Sequence, residues 1–237
     1  MKKMKNVKTE TSEVSEQPKM RTVMLAAPSY DGKVNVWHAS ALSETCKIGL
    51  AKGINVVAVY MSFDALVQRA RNDIVKMAID SNVDDLFFID CDMDWNPNDF
   101  FRMLDYDVGI VGAPVMKKSD FEQYNVKLTS QLKIEENGLA VVDAVGTGMM
   151  RIRKDALLKL WEASPEYKEL HKPEPSRMVF DIQVIDGQLI SEDIVMCNKW
   201  IDLGEKIYID PLVSCGHSGE KRWVGNFYEW YKVNIRR

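Results

Sequence analysis

The stretch Phe87–Asp99, FFIDCDMDWNPND, runs an apolar segment into three aspartates at alternate positions, Asp90, Asp92 and Asp94. Two carboxylates a few ångströms apart repel by roughly 3 kcal/mol at an effective dielectric near 20. A divalent cation relieves that repulsion, and hard carboxylate oxygens favour Mg2+ or Mn2+. Side chains two positions apart in extended chain share a face. Asp90 and Asp92 therefore suit one shared cation while Cys91 faces away, and Asp94 is a possible substitute for either. The competing reading is a solvated acidic turn that caps a helix after Pro97.

Other residues invite chemistry more weakly. Glu192 and Asp193 precede an amphipathic stretch, where acids cap a helix and complement its dipole; the same carboxylates could instead serve as a general base. His217 lies in CGHSG, where flanking glycines leave an imidazole free to reach a site. Neutral imidazole beside carboxylate is compatible with Mn2+. VGTGMMRI places Gly146 and Gly148 around Thr147, either a tight turn or a close backbone approach to a ligand. Arg69 and Asp73 are four apart and predict an ion pair on one helix face; Arg71 points elsewhere, and its planar fork suits phosphate or sugar hydroxyls.

The elements that must position these groups follow from punctuation and period. TVMLAAP is a short buried strand ended by Pro28, with PSYDG a loop. Trp37–Lys52 predicts a helix closed by Gly53. INVVAVYMSF predicts a strand, with Asp64 the N-cap of a helix running to about Ser81. DDLFFID predicts a third strand, Asn98–Leu104 a short helix and VGIVGAPV a further strand. LTSQLKIEENGLAVVDAVGTGMM reads as two strands joined at Asn137-Gly138. Asp155–Ala163 predicts a helix, and a strand pair and helix follow around FDIQVIDGQLI and SEDIVMCNKWIDLG. This alternation predicts an α/β fold, a mostly parallel central sheet with helices on both faces and a small antiparallel addition in the second half. Ligands then gather at the carboxyl ends of the strands, where Pro28, Ser62, Asp90 and Pro114 fall.

Composition bounds the function. The chain has 237 residues, 46% of them hydrophobic, and a net charge of −4. No global basic field advertises nucleic acid, and no apolar run approaches a bilayer span. Residues 1–20 read as a disordered tail without a secretory hydrophobic stretch. Cys46, Cys91, Cys197 and Cys215 are scattered, which predicts reduced thiols and a cytoplasmic setting.

QRARNDIVKMAIDSNVDDLFFIDCDMDWNP resembles the segment leading to the D-x-D motif of GT-A-fold glycosyltransferases. ISEDIVMCNKWIDLGEKIYIDP and CGHSG resemble that superfamily's later acidic and histidine elements, in the same order. The resemblance covers most of Thr22–Gly219. Two rival readings of the acidic run are weaker. An EF-hand needs glycine where Trp95 stands and glutamate where Phe101 stands, and a dehalogenase-type phosphatase carries its D-x-D on the first strand, not the third. The resemblance implies a Rossmann-like three-layer α/β/α sandwich, one catalytic domain over 21–219 with a donor half of about 21–115 and an acceptor half of about 116–219. It implies a nucleotide-diphosphate sugar as donor partner and Mn2+ or Mg2+ as cofactor. Asp90, Asp92 and His217 would hold the metal, with Asp94 possible. Pro28, Tyr30, Asp64, Arg71, Asn72, Asp90, Cys91, Gly146, Thr147 and Gly148 would line the donor side. Asp193 or Glu192 would be the base toward an acceptor hydroxyl, borne by polysaccharide, lipid, protein or a modified DNA base. Tyr30 would either stack on the base or cover the core edge.

Residues 220–237 form an aromatic and basic segment in which Trp223, Phe227, Trp230 and Tyr231 recur at helical spacing, predicting a helix docked on the domain. Interfacial membrane binding and DNA contact are its alternatives. Two further functions compete with sugar transfer: a sugar-phosphate nucleotidyltransferase, which would want a glycine-rich basic loop where APSYDGKVN has one glycine, and an inactive nucleotide-sugar-binding module.

Overall fold

The computed structural model describes residues 20–128, 131–170, 172 and 174–234. The expected disordered tail, apart from Met20, lies outside the described residues. The first half contains β1 (Arg21–Ser29), α1 (Val36–Ala51), β2 (Ile54–Ser62), α2 (Val67–Asp80), β3 (Asp85–Ile89), β4 (Met93–Asp94), α3 (Pro97–Asp105) and β5 (Ile110–Gly112). The second half begins with β6 (Val126–Lys127), β7 (Ala140–Val142), β8 (Ala144–Val145), β9 (Met149–Arg153) and α4 (Lys154–Ala163). It continues with β10 (Glu166–Tyr167), β11 (Ser176–Arg177), β12 (Gln183–Ile185), β13 (Gln188–Ile190), α5 (Glu192–Asp202) and β14 (Ile207–Ile209). The chain closes with β15 (Gly216–Ser218), β16 (Arg222–Val224) and α6 (Phe227–Asn234).

The central sheet has the order β2-β1-β3-β9-β5-β14-β7. β2, β1, β3, β5 and β14 run one way, while β9 and β7 run the other. The sheet is mostly parallel, as the alternating pattern predicts. Both antiparallel strands come from the second half of the chain: β7 closes one edge, and β9 inserts between β3 and β5. A continuous run of buried apolar residues suits such a position, and MMRI is fully buried.

Period-two alternation sends successive side chains to opposite faces. Val23, Leu25, Phe87 and Ile89 pack with Ala41 of α1 and Phe100 and Phe101 of α3. Met24, Ala26, Leu86 and Phe88 pack with Ile74 and Val75 of α2, Leu157 of α4 and Met196 of α5. These two apolar layers make the α/β/α sandwich. Local chemistry sets the helix ends. Asn35 caps α1 by accepting from the Trp37 amide, and Gly53, at φ +71°, turns the chain after it. Asn96 caps α3, with Pro97 at its first turn.

Several expectations are corrected. Asp64 does not cap α2, which starts at Val67 after Leu66; its carboxylate instead accepts from the Leu66 amide and binds Arg69 through two bonds of 2.7 and 2.8 Å. Arg69 is thereby turned away from the expected pairing with Asp73, whose partner is Lys172. The Asn137-Gly138 turn forms, with Gly138 at φ +83°, but among the described residues its first arm meets the second through the isolated bridge of Ile134 to Ala140. Trp223 sits in β16, not in the terminal helix. Phe227 and Tyr231 of α6 are buried, and Phe227 and Trp230 meet Tyr124 at ring distances of 5.1 and 5.3 Å, so the docked reading of this segment is the one its packing follows. Among the described residues no helix is long and apolar enough to cross a membrane.

Arg151 of β9 is fully buried and ties the sheet to the turn after α3. Its guanidinium donates to the carbonyls of Met103 (3.2 Å), Tyr106 (2.6 Å) and Val108 (2.6 Å). Arg151→Met keeps much of the volume but leaves those carbonyls without their donor. It is expected to cost about 3–5 kcal/mol, read as a lower urea midpoint at unchanged m-value.

Candidate active site

The acidic tip after β3 is pinned through its backbone. The Asp90 amide donates to Gly148 O (3.1 Å) and Met93 N to Asp90 O (2.9 Å), while Cys91 O accepts from Asn35 N (2.9 Å) and Asp92 O from Ser218 N (2.8 Å). His38, buried beneath, places Nδ1 3.1 Å from Asp90 O and Nε2 2.7 Å from the Tyr60 hydroxyl. A carbonyl only accepts, so Nδ1 carries the proton and the hydroxyl donates to Nε2. Burial lowers the pKa of this ring and favours that neutral form. Sequence reading missed His38, because its partner is a backbone atom far along the chain.

β4 pairs antiparallel with β15, Met93 opposite His217 and Asp94 opposite Gly216, and β16 extends the ribbon. This pairing carries His217 to the acids. Its Nδ1 lies 2.9 Å from Met116 O, and its Nε2 lies 3.5 Å from Asp92 Oδ2. With Nδ1–H donated to that carbonyl, Nε2 is the ring nitrogen that faces the carboxylate.

Each aspartate of the run meets a different base. Asp90 Oδ1 accepts from Arg71 Nη2 (3.0 Å), Asp92 Oδ2 from the Lys118 ammonium, and Asp94 is held by both arms of Arg222 (2.6 and 2.8 Å). Burial works to raise the Asp92 pKa, but the bonds from His217 and Lys118 outweigh it and bring the carboxyl down to about 2. Asp94 is engaged by the Arg222 fork and lies on the ribbon ladder opposite Gly216. Arg71 is almost wholly buried; it also reaches Glu192 Oε1 (3.3 Å), lies over the Phe88 ring, and keeps Nη1 buried without a partner among the described residues.

Two hollows meet at Arg71 and Asp90. The first, about 620 Å³, is lined by Pro28, Tyr30, Asp64, Arg71, Asp90, Cys91 and Asp92, together with Asp31, Lys33 and Asn35. Tyr30 is 70% exposed, so it does not cover the core edge. The Cys91 thiol points to Pro28 O, and burial raises its pKa. The second hollow, about 470 Å³, is lined by Arg71, Asp90, Thr147, Gly148, Glu192, Asp193 and His217, with Lys117, Lys118 and Asn125. Gly146 stands behind it: a Cβ there would lie 1.7 Å from Asn125 Nδ2 and 3.3 Å from Asp193 Oδ2, so the close approach requires glycine. The other Asp193 oxygen accepts from Ser191 Oγ and from the Ile194 amide (2.8 Å). Asn72 is not brought to either hollow. It is fully buried and clamps Phe180 through both amide atoms, at 2.8 Å each. Lys118 and Asn125 were missed by sequence reading, although they follow the strand end marked by Pro114.

Among the described residues no group of three or more His, Cys, Asp or Glu stands together as a cation site. The groups that do converge are two, the Asp92 carboxylate and His217 Nε2, beside an open hollow. That set fits a divalent ion which takes its remaining ligands from water or from phosphate oxygens.

An acidic strand tip thus lies at the carboxyl edge of a mostly parallel sheet, faced by a ribbon bearing a histidine. The particular likenesses are distant. The chain shares its fold with A197 from STIV, at a TM-score of 0.54 and 18% identity over 86% of this chain and 89% of that one. It is also similar to a mutant of the Drosophila β1,4-galactosyltransferase 7 in complex with manganese, UDP-Gal and xylobiose, at a TM-score of 0.47 and 12% identity over 90% and 74% of the two chains. A third similar structure is a glycosyltransferase involved in glycosylation of the major capsid of PBCV-1, at a TM-score of 0.35 and 14% identity over 60% and 66%. No model of a known protein family and no curated protein sequence matches the chain.

The ribbon admits a direct test. A Cβ at Gly216 would fall 2.2 Å from Asp94 Oδ2 and 2.6 Å from Arg222 Nε. Gly216→Ala must therefore break the fork and is expected to cost about 1–3 kcal/mol. Arg222→Ala removes only the half-exposed ion pair and is expected to cost about 1 kcal/mol or less. Urea unfolding of the two variants checks that order.

Proposed function

We propose that the chain is a metal-dependent glycosyltransferase that moves a sugar from a nucleotide-diphosphate sugar to an acceptor hydroxyl. The observation that carries this reading is the meeting of two hollows at one acidic strand tip, with the Asp92–His217 pair at the junction and Asp193 across the second hollow. The first hollow suits the nucleoside, with Tyr30 available to stack on the base. Arg71 between them suits the diphosphate, because its planar fork offers donors to phosphate oxygens. The second hollow suits the sugar and the incoming acceptor.

In this reading the bond from the anomeric carbon to the diphosphate oxygen breaks, and its electron pair leaves with the diphosphate. The acceptor oxygen forms the new bond to that carbon. Asp193 takes the acceptor proton, since it lines the second hollow while Glu192 is engaged by Arg71. Such a base contributes roughly 10²–10⁴-fold. A cation held by Asp92 and His217 would supply Lewis-acid stabilisation of the leaving diphosphate. Gly146 and Gly148 let backbone approach the sugar. Arg71, fixed by Asp90 on one side and Glu192 on the other, holds its remaining buried N–H at the wall between the hollows.

The test is calorimetric titration of a panel of nucleotide sugars in Mn2+, followed by assay of sugar release. Binding of at least one donor, lost in Asp92→Ala and in His217→Ala, is the expected result. Asp193→Asn should keep donor binding and lower turnover by about 10²-fold or more. Failure of every donor to bind would overturn the reading. Release of pyrophosphate from a nucleoside triphosphate and a sugar phosphate would point instead to nucleotidyl transfer.

A further inference from the structure

We propose that Lys118 is a built-in competitor for the cation at Asp92, and that the loop carrying it lets go of Asp92 when the ion loads. This inference rests on the cation reading of the site and adds a residue and a motion to it.

The loop is a short strap with a firm base. Met116 bridges Tyr124, and the Lys117 amide donates to Gln123 O at 2.7 Å. Tyr124 is held in turn by the Phe227 and Trp230 rings of α6. The tip crosses to the turn between β15 and β16, where Lys221 pairs with Asp120. There the Lys118 stem passes over Gly219, its Cδ 3.3 Å from where a Cβ would stand. A side chain at Gly219 would crowd that stem.

The ammonium ends on Asp92 Oδ2, the same oxygen that lies 3.5 Å from His217 Nε2. One oxygen therefore has two claimants. An ion bound by Asp92 Oδ2 and His217 Nε2 cannot share that oxygen with a positive ammonium, because the two like charges would repel at contact distance. Without the ion, Lys118 neutralises Asp92 beside the other two carboxylates of the run. Once displaced, it remains on the wall of the second hollow, where its charge can meet a diphosphate. The pair is about one-third exposed, so release does not require opening the core. Loading of the cation is thereby weakened when no anionic donor is present to receive the freed lysine.

The experiment is titration of the full chain with Mn2+ alone, free Mn2+ being read by electron paramagnetic resonance. Lys118→Gln is expected to bind Mn2+ roughly fivefold more tightly than the unmodified protein, the effect of removing one partly exposed competing ion pair. Lys221→Gln, which loses a lysine of equal charge from the β15–β16 turn that the strap meets, away from Asp92, should stay within about twofold, since exposed distant charges are screened. Adding Asp92→Asn to Lys118→Gln should cancel the gain. Unchanged or weaker binding in Lys118→Gln, or an equal gain in Lys221→Gln, overturns the role of Lys118 while leaving the cation site standing. Absence of Mn2+ binding in every protein overturns the cation site, and this inference with it.

Discussion

The pairing of two very short strands, β4 and β15, is the contact on which the rest of the site depends. It joins segments more than a hundred residues apart in sequence and sets Met93 opposite His217. The Ser218 amide closes it on Asp92 O, and the Asp94–Arg222 fork locks its outer side. Ladders this short carry little stability alone. Here the ribbon gains from buried neighbours on both sides: Met93, Trp95 and Cys215 belong to one apolar layer of the sandwich. Removing the pairing would leave the imidazole without a path to the acids.

Charge crowding explains why so many basic residues converge from distant places. Three aspartates in five residues are met by Arg71 from α2, Lys118 from the strap and Arg222 from the ribbon. The three bases differ in burial and therefore in what they can do. Arg71 is sealed inside the fold and fixed on two carboxylates, so it is preorganised. Arg222 serves the ribbon. Lys118 makes a single side-chain bond and is about one-third exposed, which suits a partner that can be exchanged.

Insertion of β9 in the middle of the sheet has a functional consequence as well as a topological one. Because β9 runs antiparallel beside β3, its amino end lies next to the carboxyl end of β3. The loop Gly146–Gly148 is thereby delivered to the acidic tip, and Gly148 O accepts from the Asp90 amide. The same strand carries Arg151 to the carbonyls after α3. One strand thus braces the core at one end and floors the second hollow at the other.

Much of this molecule was legible in the sequence, because the signals there are local. The short apolar runs of TVMLAAP and DDLFFID, the glycine after α1 and the proline before α3 fix elements through nearest neighbours. The spacing of Asp90, Asp92 and Asp94 marked the strand tip for the same reason, and sugar-transferase-like order predicted that His217 would be brought near it. What only the tertiary structure decided is how each of those groups is spent. Asp94 and Asn72 carry residue types that suit a site, yet one is bound to Arg222 and the other to the backbone of Phe180. Asp64 is occupied by Arg69, and Lys118 and His38 gain their roles from partners that no local pattern announces. The physical reason is that a side chain's chemistry is set by the charge and carbonyl it meets in space, and those partners are chosen by strand order and loop packing across the whole chain.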